Sequence, residues 1–133
     1  MKKTYDDGNR AEYLKKHWDD IMEHQTFCDV FAGTAAQYPD RTAVYADGRS
    51  VTYGELLRWS NAAAGRLLED GAVKEEIIAV NTGRTAETIA GILGIWKAGC
   101  AYVYLDRAYP KERSENIIKD CRCRFILDSR WWE

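Results

Sequence analysis

The residues of this chain with the chemistry to bind or react are few, and two groups of them stand where apolar runs end. The first is Asn81-Thr82-Gly83-Arg84-Thr85. It separates the apolar run Ile77-Ile78-Ala79-Val80 from a stretch of helical periodicity, so its backbone N–H groups would face an anion at a helix N-terminus. Arg84 would add charge, and Thr82 and Thr85 hydroxyls. The spacing is not G-x-x-x-x-G-K-[ST], and one glycine is weak evidence for a phosphate loop. In the competing interpretation, favoured here, Thr82 or Thr85 caps the helix and Gly83 permits the turn. The second group is Asp106-Arg107, which follows Ala101-Tyr102-Val103-Tyr104-Leu105. Asp106 could hold a ribose or a metal; it could equally cap the next helix or pair with Arg113, and the structural role is favoured.

Other candidates are weaker still. His17 and His24 are seven residues apart, with no third ligand to make a metal site. Cys28, Cys100, Cys121 and Cys123 fit no zinc spacing and are expected to be reduced structural thiols. No Ser/His/Asp arrangement can be placed, and no carboxylate pair stands out. The sequence assigns no catalytic residue and no metal ligand, and it leaves cofactor-binding residues unknown.

The elements that must position these groups are easier to read. Leu14, Trp18, Ile21 and Met22 share one face of an amphipathic helix expected over residues 11–24. Thr26-Phe27-Cys28-Asp29 has the form of a capping box, opening a helix whose expected buried stripe is Phe27, Val30, Phe31, Ala35 and Tyr38. Tyr38-Pro39 ends it. Asp47-Gly48, between Thr42–Tyr45 and Ser50–Tyr53, signals a β-hairpin. Thr52-Tyr53-Gly54-Glu55 is a full capping box, with Val51 and Leu56 as a hydrophobic staple. The helix that follows carries Leu56, Leu57, Trp59, Ala63, Leu67 and Leu68, and Gly71 closes it.

Residues 76–106 read as a βαβ unit. The unalternating run at Ile77 suits a strand covered on both faces. Ile89, Ile92, Leu93 and Trp96 then recur at helical spacing, and Gly99 stops the helix. Pro110 suits the first position of another helix, with Ile117, Ile118 and Cys121 inward. Arg124–Asp128 is a last strand. The expected fold class is α/β: an incomplete doubly wound parallel sheet with flanking helices and one β-hairpin. Three parallel strands make a thin sheet. Trp131-Trp132 either await a partner or fold back on it.

With 133 residues, 46% of them hydrophobic and 30% charged, the chain has one domain's worth of material for a core. A formal net charge of -2, without a basic cluster, leaves no footprint for nucleic acid. The apolar runs are too short to span a bilayer. The N-terminus lacks the apolar region of a signal peptide, so the cytoplasm is the expected compartment.

From about Phe27 to Asp128 the chain resembles the N-terminal part of amino-acid adenylation domains of non-ribosomal peptide synthetases, within the acyl-adenylate-forming, AMP-binding superfamily. Phe31 with Tyr38-Pro39-Asp40-Arg41-Thr42-Ala43-Val44 is similar to that family's opening F…PDRTAV. Val51-Thr52-Tyr53-Gly54-Glu55-Leu56 is similar to its L-T-Y-x-E-L motif. Trp96-Lys97-Ala98-Gly99-Cys100-Ala101-Tyr102-Val103-Tyr104-Leu105-Asp106 is similar to L-K-A-G-x-A-Y-x-P-L-D, and Tyr109-Pro110-Lys111-Glu112-Arg113 to Y-P-x-x-R. Tyr104 and Arg107 stand where the family has prolines, so the loop after this strand is expected to run differently.

The resemblance implies two regions: an N-terminal extension with the amphipathic helix over residues 1–26, and a subdomain segment over 27–133. It implies a ligase reaction in which ATP and an amino acid give an aminoacyl-AMP, whose acyl group passes to a carrier thiol. The phosphate loop, magnesium-binding glutamate, ribose-binding aspartate, specificity pocket and C-terminal lysine of that family have no counterpart in this sequence. The segment is therefore expected to be scaffold and not competent alone. ATP and Mg would belong to the complete domain, and the expected partners are the remainder of that domain and a phosphopantetheine carrier protein. Two alternatives stay open. One is half of a split enzyme that docks to a complementary chain. The other is an independent phosphate- or flavin-binding domain, since Thr82-Gly83-Arg84-Thr85 resembles flavodoxin phosphate loops.

Overall fold

The computed structural model describes Glu12 and residues 26–133. Apart from Glu12, the expected helix over 11–24, with His17 and His24, lies outside the described residues. The chain runs α1 (Phe27–Gln37), β1 (Thr42–Ala46), β2 (Arg49–Thr52), α2 (Tyr53–Glu69), β3 (Ile77–Asn81), α3 (Ala86–Lys97), β4 (Ala101–Tyr104), α4 (Lys111–Asp120), β5 (Ile126–Asp128) and a closing 3₁₀ turn (Ser129–Trp132).

Local chemistry explains the boundaries. Both capping boxes form: Thr26 with Asp29 at α1, and Thr52 with Glu55 at α2. β1 and β2 pair antiparallel around Asp47-Gly48, whose φ angles of 52° and 70° are those of a type I′ turn. Pro110 caps α4 from outside rather than occupying its first turn, and the helix begins one residue later at Lys111.

β3 is the middle strand of a parallel sheet of order β4-β3-β5. Ile78 lies beside Tyr102, and Val80 is flanked by Tyr104 and Leu127. The chain moves from β3 out to β4, then back across to β5. Right-handed crossovers in opposite directions put α3 and α4 on opposite faces, which is the doubly wound pattern.

The core lies on the α2/α3 side. Ile78 and Val80 of β3 and Leu127 of β5 pack with Leu67 of α2 and Ile95 of α3, while Phe31, Val51 and Leu56 join Ala86, Ala90 and Leu93 in a second cluster. α2 and α3 approach so closely that a Cβ on Gly94 would stand 2.6 Å from the Ala63 Cβ.

Three expected buried stripes are redrawn. In α1 only Phe31 and Ala35 are buried, and Phe27 is 59% exposed. In α2 Leu68 is exposed. In α3 the inward face is Ala86, Ala90, Gly91, Leu93, Gly94 and Ile95, while Ile89 and Trp96 are exposed. Small residues line the face where another helix comes close, and this turns the larger ones outward. α4 has no fully buried residue; Ile117, Ile118 and Cys121 are half-buried.

Trp131 and Trp132 fold back. Their rings meet edge-on at 5.1 Å, Trp131 packing on one core cluster and Trp132 on the other. Arg66 of α2 stacks on Trp131 at 4.6 Å and donates to its carbonyl, fastening the turn to the helix.

Candidate functional site

The carboxyl ends of β3, β4 and β5 and the tip of the hairpin surround two adjoining clefts, where open parallel sheets commonly take ligands. One, of about 440 Å³, is lined by Arg49, Thr82, Thr85, Glu87 and Trp132. Its neighbour, of about 470 Å³, is lined by Asn81, Asp106, Lys111, Asp128 and Arg130. Arg107 and Ser129 line both clefts, and the Arg107 guanidinium donates to the Ser129 hydroxyl at 2.9 Å. That bond is the partition between them. Arg107 also lies over Gly83, where an added Cβ would meet its Nε at 3.4 Å. The residue that replaces a family proline thus links the loops after β3, β4 and β5.

The loop after β3 behaves as a cap. Thr85 is the N-cap of α3, and its hydroxyl accepts from the Thr88 N–H at 3.3 Å. The same hydroxyl donates to the Thr82 carbonyl at 3.1 Å. The Thr82 and Thr88 hydroxyls bond to each other, and Thr88 donates to the Gly83 carbonyl. Gly83, at φ 70°, supplies the left-handed turn. Thr82 and Thr88 are buried, so their hydroxyls are held by one another instead of by solvent or ligand. The Asp106 carboxylate accepts from the Ala108 N–H at 2.8 Å, shaping its own turn. Arg113 stacks on Tyr109 at 4.0 Å and is not the partner of Asp106.

Two charged pairs stand around the clefts, Arg49 with Glu87 and Arg130 with Asp128. Arg49 donates to Glu87 at 2.6 Å. Burial is the largest single influence and works to raise the Glu87 carboxyl, but the Arg49 hydrogen bond and charge, with hydrogen bonds from its own backbone N–H and from Thr85, together hold the group below its ordinary range. Burial likewise acts to raise Asp128, and bonds from Arg130 and the Trp131 N–H bring it below its ordinary value. Both carboxylates are ionised at neutral pH and poorly suited to act as general bases.

The cysteines are free thiols, none in a disulfide. Burial pushes Cys28, Cys100 and Cys123 upward, and Cys100 directs its Sγ at the Val73 carbonyl, 3.3 Å away. Protonated thiols are weak nucleophiles. Among the described residues no group of three or more His, Cys, Asp or Glu converges.

Sequence inspection missed the Arg49–Glu87 pair and the Arg107–Ser129 bond. The partners are 38 and 22 residues apart, and no local pattern announces them. It also missed two buried polar atoms without a partner among the described residues, Asn81 Oδ1 and Trp132 Nε1.

A sequence model of the AMP-binding enzyme family matches residues 31–131, and the chain belongs to that family. It corresponds to the N-terminal part of an amino-acid adenylation domain of the non-ribosomal peptide synthetase type. It is 41% identical over 105 residues to CymA of Salinispora arenicola, a probable non-canonical non-ribosomal peptide synthetase, covering 79% of this chain and 1% of that protein. The crystal structure of the synthetase FmoA3 bound to alpha-methyl-L-serine-AMP superposes with a TM-score of 0.74 at 31% identity, over 77% of this chain and 12% of that one. The N-terminal subdomain of NpsA from Klebsiella oxytoca superposes with a TM-score of 0.70 at 25% identity, over 78% and 27%. The chain thus spans a small fraction of the length of the relatives it matches.

Proposed function

We propose that this chain forms the N-terminal supporting wall of an enzyme that activates an amino acid as its adenylate. ATP and the amino acid would give aminoacyl-AMP and pyrophosphate, and the acyl group would then pass to the thiol of a phosphopantetheine carrier protein. The observation that carries this reading is that the Thr82, Thr85 and Thr88 hydroxyls and the Arg49–Glu87 pair at the carboxyl edge are engaged with one another, which leaves Asn81 Oδ1 and Trp132 Nε1 as the buried polar atoms there without a partner among the described residues. In this reading residues 1–26 are an extension and residues 27–133 a subdomain segment. None of residues 27–133 is catalytic, and the groups that hold ATP and Mg come from the remainder of the domain. The setting is the cytoplasm, with neither nucleic acid nor membrane as partner. Amino-acid-dependent exchange of pyrophosphate into ATP tests it: the 133-residue chain alone is expected to give none. Clear turnover by that chain would overturn the proposal.

A second reading, that the remainder arrives as a separate polypeptide, is favoured by the outer edges of β4 and β5, which pair with no further strand among the described residues. Co-purification with a chain carrying the later motifs would support it. An independent phosphate- or flavin-binding role for Asn81–Thr85 is disfavoured by the same satisfied hydroxyls. It predicts a thermal shift on adding nucleotide or flavin.

A further inference from the structure

The turn that carries the chain from α4 into β5 lies at the amino edge of the sheet, away from the clefts. Cys121 is the C-cap of α4. Arg122 follows at φ 54°, in the left-handed region that glycine usually fills at this position. The Arg122 N–H donates to the Lys119 carbonyl at 3.1 Å, and the Cys123 N–H to the Ile118 carbonyl at 3.0 Å. These are the two bonds of a Schellman motif, so the backbone on both sides of Arg122 is fixed.

That closure sets two thiols side by side. The Cys121 thiol is in hydrogen-bond contact with Cys123, and both residues are half-buried. The other two cysteines are used differently: Cys28 and Cys100 turn Sγ toward the carbonyls of Leu93 and Val73, at 3.9 and 3.3 Å. Glu76 acts on Cys123 through its charge, but Arg124 already holds that carboxylate with two bonds of 2.7 Å. Among the described residues no third His, Cys, Asp or Glu joins the pair.

Two neighbouring thiolates are a soft donor set. Zinc takes four ligands, so this pair would supply only half of its shell. Copper(I) is soft and is satisfied by two thiolates in a line. Binding replaces both thiol protons, which leave to solvent, and the resulting bis-thiolate unit is anionic. Lys119, Arg122 and Arg124 stand in the same run against Asp120 and offset that charge. The fixed turn presents both sulfurs before the ion arrives, so little ordering is left to oppose binding. We propose that Cys121 and Cys123 form a two-thiolate site for copper(I) at the turn between α4 and β5.

Titration of the reduced 133-residue chain with copper(I) against a chromophoric copper(I) chelator tests this. One equivalent is expected to bind. Cys121→Ser and Cys123→Ser should each weaken binding by about a hundredfold or more, because losing a ligand costs more than losing one of its supporting partners. Cys28→Ser should leave it unchanged. X-ray absorption of the copper-loaded parent should show two sulfur donors and no nitrogen. That spectrum uses the unmodified chain, so it decides the ligand set even where a variant folds poorly. Failure of the parent to compete with the chelator would overturn the proposal. So would undiminished binding by Cys121→Ser, an equal loss in Cys28→Ser, or a nitrogen or third sulfur donor in the spectrum.

Discussion

The two faces of the parallel sheet are built unequally. On the side of α2 and α3, Leu67, Ile78, Val80, Ile95 and Leu127 are fully buried and interlock in one cluster. On the side assigned to α4, that helix contributes Ile117 and Ile118, both half-buried, and no fully buried residue. The difference teaches where this segment holds itself together. α2 and α3 can meet at glycine and alanine contact distance, so β3 is covered by a close-packed layer. α4 is amphipathic but lies on a shallower contact. The wall has one finished side and one that contributes less.

The largest expected effect breaks or keeps that contrast directly. Leu67→Ala should cost about 3 kcal/mol, because the side chain is fully buried and the cavity relaxes only in part. Ile118→Ala, on a half-buried site of α4, should cost about 1 kcal/mol or less. Urea unfolding of the two variants measures the ratio, and equal losses would erase the distinction between the faces.

Gly94→Ala comes next. Its Cβ would stand 2.6 Å from Ala63 and 2.9 Å from the Ser60 carbonyl, both on α2, so the two helices must move apart. Overpacking of this kind should cost about 2 kcal/mol, even though alanine is the better helix former. A stabilised variant would mean that the α2–α3 contact is looser than described.

The smallest effect concerns the rim where the two faces join. Arg124 donates twice to Glu76, at 2.7 Å each, and reaches the Gly71 carbonyl at 3.1 Å, binding the approach to β5 to that of β3. The Arg124 hydrogen bonds, followed by the Val73 N–H, hold the Glu76 carboxyl below its ordinary value. A depressed carboxyl contributes stability above its unfolded pKa of about 4.3 and loses it as the pH falls through the folded value. Arg124→Ala should therefore be less stable than the parent at pH 7, with the deficit shrinking below about pH 4. A deficit constant with pH in parallel melts would remove the ion pair as its source.

Much of this arrangement can be read from the chain. The Thr26 and Thr52 capping boxes, the Asp47-Gly48 turn, the stop at Tyr38-Pro39 and the left-handed Gly71 and Gly99 all stand where the residues put them. Each depends on bonds or torsions within four residues, so the sequence by itself determined them. The motifs around Thr52 and Lys97 likewise determined the family before any contact was visible. Only tertiary structure decided which side of α3 turns inward. Periodicity chose Ile89, Ile92, Leu93 and Trp96 by hydrophobicity, yet the inward face also takes Ala90, Gly94, which stands against α2, and Gly91, which stands against Leu127 and Trp132. It also decided that Thr82, Thr85 and Thr88 satisfy one another, that Arg107 reaches Ser129, and that Trp131 and Trp132 fold back under Arg66. Burial and long-range pairing depend on what arrives from elsewhere in the chain, and no local pattern of residues records that.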